Sequence, residues 1–156
     1  MRSAITYIIV IGSIFLAQDS RSIIFSTGTP ETEEGYIISG ETSVADRFSV
    51  LSDYALEAFK VTMAMESELA SLSVSIHEDN DNTPGNIMGS WNLTLTATTA
   101  REYTVYTLGE CITFNAGENY WISVKAVDSL SAAKWIYSPS DFYNYSISND
   151  NQTTWN

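Results

Sequence analysis

Apolar and polar residues alternate along most of this chain with a period of two. "ASLSVSIH", residues 70–77, sets Leu72, Val74 and Ile76 on one side and serines on the other. That is the pattern of a strand with one buried face. "DRFSVL", "IMGSWNLTLTAT", "EYTVYTL", "CITFN", "NYWISVKAV" and "KWIYS" repeat it in short runs rich in Val, Ile, Thr, Tyr and Trp. Gly, Asn, Asp or Pro bound these runs. About eight such strands at close spacing predict an all-β fold, an antiparallel β-sandwich of jelly-roll or Ig-like type. One stretch, "DYALEAFKVTMAMESELASL", also suits a helix, because Ala, Leu, Glu, Lys and Met favour one. Its β neighbours favour a strand.

The pattern divides the chain into three. Residues 1–17 read as a signal peptide: Arg2 comes first, then the apolar "AITYIIVIGSIFLA", then polar "QDSRS". The apolar run is short for a membrane span, so no stable span is expected once it is cleaved. Residues 18–40 read as an N-terminal extension with two short strand signals, "SIIFS" and "YIIS", joined by "TGTPETEEG". Residues 41–156 carry the predicted sandwich. The polar tail "SDFYNYSISNDNQTTWN" shows no apolar closing strand.

Composition narrows the function. Of 156 residues, 19 are acidic and 7 basic, a formal charge of −12. Phosphate binding needs a basic stripe, so a nucleic-acid partner is excluded, and an anionic lipid surface would repel the chain. Cys111 is alone, so no internal disulfide forms. Within "GECITFNAG" it reads as a packed strand residue. With an export signal, the expected location is extracellular, at a cell surface or in a matrix.

Candidate chemistry concentrates in "HEDNDNTPGN", residues 77–86. A hairpin loop is the plain reading, with Pro84 and Gly85 at the centre of a type II turn. Glu78, Asp79 and Asp81 also offer the oxygens that calcium favours, although the spacing of an EF-hand fails. Calcium is therefore the one cofactor the sequence suggests; otherwise none is expected. His77 is the single histidine, and no catalytic motif surrounds it. The chain is read as not an enzyme. Asn92, Asn144 and Asn151 begin N-x-[ST] sequons, glycosylation sites in an exported protein. Trp155, Tyr143 and Tyr145 could form an exposed aromatic platform for a glycan, while Trp121 and Trp135 read as core.

"VADRF" (44–48), "VSIHEDNDNTPGNIMG" (74–89), "FNAGENYWISV" (114–124) and "KWIY" (134–137) occur in this order. Together they resemble the extracellular β-sandwich domains of the bacterial and archaeal "choice-of-anchor" type, over roughly residues 41–156. The resemblance implies a secreted, non-catalytic surface or matrix domain without an established ligand. His77 and Thr83 depart from the family's hairpin motif, and the family's usual final strand and anchor tail are not seen.

Two functions follow as expectations. The first is a structural or adhesive subunit that self-assembles into filaments by β-strand exchange. Ile23, Ile24 and Phe25 of "RSIIFSTG" would be the donor strand, filling a sandwich that lacks an edge strand. The second is a monomeric carbohydrate-binding module, with calcium as its candidate aid. The expected partners are thus further copies of the chain, or glycans.

Overall fold

The structure is a computed structural model, and it describes residues 34–109, 111–136 and 145–156. The expected signal peptide (1–17), the expected donor residues Ile23, Ile24 and Phe25, and Tyr143 and Asn144 lie outside the described residues. Eleven strands are described. They are β1 (Gly35–Ser39), β2 (Ser43–Ser49), β3 (Tyr54–Ala55), β4 (Ala58–Met65), β5 (Ser71–Asn80), β6 (Thr83–Thr94), β7 (Arg101–Tyr106), β8 (Thr113–Phe114), β9 (Asn119–Ala126), β10 (Ala132–Ile136) and β11 (Tyr145–Ser148). All pairings are antiparallel. Sheet A has the order β1-β10-β4-β7 and sheet B the order β11-β2-β9-β5-β6; β3 and β8 form a small third sheet. The fold is all-β, two packed sheets of a β-sandwich, as the alternation predicts.

Alternation builds the core directly. Leu72, Val74 and Ile76 of β5, and Ile122 and Val124 of β9, are buried on the inner face of sheet B. Phe59, Val61 and Met63 of β4 and Trp135 of β10 answer them from sheet A. The stretch that also suited a helix is β4, with inward Phe59, Val61 and Met63 alternating with Lys60 and Thr62. Tertiary burial overrides helix propensity there.

Four expectations need correction. The sandwich begins before residue 41, because β1 pairs with β10 from Gly35↔Ile136 to Ser39↔Ala132. The hairpin turn is at Asp81-Asn82, not Pro84-Gly85. Asp81 (φ 50°) and Asn82 (φ 67°) are both left-handed, the type I′ geometry that matches strand twist. Asn and Asp tolerate that region, and Asp79 Oδ2 accepts the Asn82 N–H at 3.3 Å. Pro84 and Gly85 lie inside β6. Cys111 is exposed and outside any strand, since β8 has only two residues. The tail does supply a closing strand: "YSIS" is β11 and pairs with β2.

Candidate functional site

The outer face of sheet B collects most of the chain's unusual polar side chains. Strand register lines up one row across the five strands, Ser146 opposite Ala45, then Ser123, Ser75 and Ser90. The adjacent row holds Arg47, Trp121, His77 and Ile87. Such positions would ordinarily face water. Here Ser123 is fully buried, and Trp121 and His77 are only 2% and 3% exposed.

The covering element is the segment after β11. It folds back over the face and closes on itself, with Ile147 and Asn156 exchanging two backbone hydrogen bonds of 2.9 and 3.0 Å. This is an Ω-loop, ends together and interior packed by its own side chains. Asp150 is its hub. Its carboxylate accepts from the Thr153 and Thr154 N–H groups, from Ser148 Oγ and from Thr154 Oγ1. The Thr154 side-chain hydrogen bond, first among these, holds its pKa down at about 2.

Under the loop runs a directional hydrogen-bond chain. Gln152 Nε2 donates to Ser123 Oγ at 3.0 Å, and Ser123 Oγ lies 2.7 Å from His77 Nε2. His77 Nδ1 lies 3.0 Å from the Gly85 carbonyl oxygen. The carbonyl only accepts, so Nδ1 carries the proton and Nε2 accepts from Ser123. Burial holds the His77 pKa below its ordinary value, against the opposing pull of the Gly85 hydrogen bond. Trp155 packs against the His77 ring, with centroids 6.3 Å apart and planes at 84°. Beside them, Trp121 Nε1 donates to Asp79 Oδ1 at 2.7 Å, and Arg47 Nε is 3.2 Å from the same oxygen.

A serine bonded to a histidine is the arrangement of an activated nucleophile. Two features oppose that role here. The group orienting His77 is a main-chain carbonyl rather than a carboxylate. Ser123 is sealed beneath Gln152, so no reacting atom reaches it in this conformation.

The hairpin carboxylates do not form one set. Strand alternation sends Asp79 to the outer face, where Trp121 and Arg47 hold it. Glu78 points the other way and accepts from Asn86 Nδ2 at 3.1 Å. Asp81 sits exposed in the turn. Among the described residues, no group of three or more His, Cys, Asp or Glu side chains is placed to hold a metal ion. A cleft of about 460 Å³ does open at this end of the sandwich, lined by Glu78, Met88, Asn115, Glu118, Asn119 and Tyr120 among others.

The expected aromatic platform is also divided. Trp155 is half-buried on the outer face of sheet B. Tyr145 is opposite Asp46, on the inner side, and its ring is 4.7 Å from that of Tyr36 across the sandwich. Of the sequons, Asn92 is exposed on β6, and Asn151 is exposed in the Ω-loop with φ 58°. Trp135 is a core residue, as expected; Trp121 is buried too, but on the outer face of sheet B rather than between the sheets.

Sequence reading missed Ser123, Gln152 and Arg47. Ser123 looked like one outward serine among many; its partner Gln152 lies 29 positions away, and only the folded loop joins them. No family model, no curated protein and no solved structure matches the chain.

Proposed function

We propose that this chain is an exported, non-catalytic structural or adhesive protein that associates with copies of itself through β-strand addition. The observation that carries this reading is the flank of the sandwich along β6. At twelve residues β6 is the longest of the described strands, and it stands at an edge of sheet B. Among the described residues, no strand pairs with its free side. Met88, Trp91 and Leu93 on this strand, and Tyr103 on β7, are only partly buried against the core. An added strand would satisfy the free backbone groups and cover those side chains together. The apolar residues 4–17 support export, and exposed Asn151 suits a glycan there. The sealed His77–Ser123 pair supports a role without catalysis. "RSIIFSTG" with Ile23, Ile24 and Phe25 stays a proposed donor for the flank.

The test is analytical ultracentrifugation over a hundredfold concentration range, with negative-stain electron microscopy of the same samples. Oligomers or filaments that grow with concentration are expected. A monomer at every concentration ends this reading.

A second reading, glycan binding, rests on the polar cleft at the hairpin end, whose 460 Å³ suits a small saccharide. A glycan array checks it: binding that Glu118→Ala and Asn119→Ala abolish supports it, and a blank array removes it.

A further inference from the structure

Among the described residues the two sheets have four edge strands, and they are not equally guarded. β7 carries Arg101 and Glu102. β11 is met by Asn156 of the Ω-loop. β1 is only five residues long. β6, Thr83–Thr94, contains no charged residue in its twelve positions, although the chain as a whole carries −12. Natural edge strands are commonly protected by charge, kinks or a cover.

A register shift does kink β6, but only in its first half. The irregularities fall where Ile76 pairs with Gly89, His77 with Ile87 and Asp79 with Pro84. From Gly89 to Thr94 the ladder to β5 is regular. The side of this stretch turned away from β5, which no described strand joins, therefore offers the regular N–H and C=O pattern of an antiparallel ladder. Its inner face presents half-buried Trp91 and Leu93; its outer face presents exposed, neutral Ser90, Asn92 and Thr94. For a chain this acidic, most surfaces repel a second copy. This strip does not.

We infer that the strand added at this edge is β6 of a second copy, antiparallel to the first about a two-fold axis near Trp91 and Asn92. The inference rests on the self-association proposed above and names its contact. Opposed residues in an antiparallel pair share a face. Trp91 and Leu93 of the two copies then meet on the inner side and extend both cores. The two Asn92 side chains meet on the outer side. The contact uses the same patch twice and closes on itself, so its product is a dimer with one continuous sheet.

The experiment uses protein made without N-glycosylation, so that the strand is bare. In a Cys111→Ser background, which removes the exposed thiol, Asn92→Cys should give a disulfide-linked dimer under mild oxidation. Tyr106→Cys on β7 should not. In sedimentation velocity, Asn92→Lys should weaken dimerisation at least tenfold, because like charges then oppose each other across the axis. Circular dichroism checks that each variant is folded. Without the Asn92→Cys cross-link, β6 pairing is overturned. If the unmodified chain still oligomerises, and deletion of residues 21–28 abolishes this, the occupant is the N-terminal donor and self-association stands. If the unmodified chain is monomeric throughout, both readings fall.

Discussion

Sheet B has two edges that the chain treats differently. At β11 the chain returns to its own edge: Asn156 pairs with Ile147, and the Ω-loop seals the face beside it. Under that loop His77 and Ser123 are hydrogen-bonded to each other and Ser123 to Gln152, and beside them Trp121 donates to Asp79. At β6 no described strand covers the edge, and its aromatic Trp91 is only partly covered. Buried polar groups are costly unless paired, so the closed side is a network in which each loss strands a partner. On the open side water replaces whatever is removed.

The largest test of that difference is Trp121→Ala. It removes a buried indole and leaves the Asp79–Arg47 pair without its N–H donor. The expected cost is about 4 kcal/mol, read as a shift in the urea midpoint. A loss no greater than that of an exposed substitution would mean that Trp121 is not buried in solution.

A matched pair of serines sharpens the comparison. Ser123→Ala leaves Gln152 Nε2 and His77 Nε2 without their shared partner in a buried place, at a cost of about 2 kcal/mol. Ser73→Ala, on the open side, removes only a 3.0 Å contact with Ser90 and should cost about 0.5 kcal/mol or less. Equal effects in thermal melts would erase the distinction between the two sides.

The sandwich itself was legible because burial repeats every second residue. β5 could be read inward and outward from sequence alone, even to His77 sharing a face with Ser75. Three things were not legible. The turn at Asp81-Asn82 was hidden because Pro-Gly is a stronger turn signal than Asp-Asn, and only the ladder pairing Asn80 with Thr83 decides between them. The strand character of Tyr145–Ser148 was masked by its serines, which here point into a covered face rather than to water. The division of Glu78 from Asp79 was available from alternation, but reading the stretch as a loop discarded it. The site on sheet B depends on a loop folding back across the sheet, and no local pattern encodes that.

His77 gives a smaller effect, set by pH. Burial keeps its folded pKa below the ordinary 6.5. The unfolded chain takes up a proton near that value while the folded chain resists. This contribution to stability is therefore complete above about pH 6.5 and declines as pH falls toward the folded value. The charged groups nearest on the sheet are Asp79 of the same strand and Arg47 of β2, already paired with each other. Urea midpoints measured between pH 7.5 and 5 should fall, and His77→Gln should flatten the slope. An equal slope in both proteins would place the titration elsewhere.

The smallest effect, and the most local, belongs to Asp150. Its pKa lies at about 2, against an ordinary 3.8, chiefly because Thr154 donates to the ionised form. A lowered carboxylate pKa gives support that is present above about pH 4 and is lost as pH falls toward 2. The carboxylate is exposed, so what yields is the loop rather than the sandwich. Acid should loosen residues 149–156 first. Hydrogen exchange at the Ile147 and Asn156 amides should accelerate relative to the β5–β9 ladder, and Trp155 emission should shift toward that of a solvated indole. Asp150→Asn should show the looser loop already at neutral pH, with little further response to acid. If the Ile147 amide exchanges at the same relative rate at pH 5 and near pH 2, Asp150 is not what holds the β11 edge closed. The guarding would then fall to the buried chain from Gln152 through Ser123 to His77.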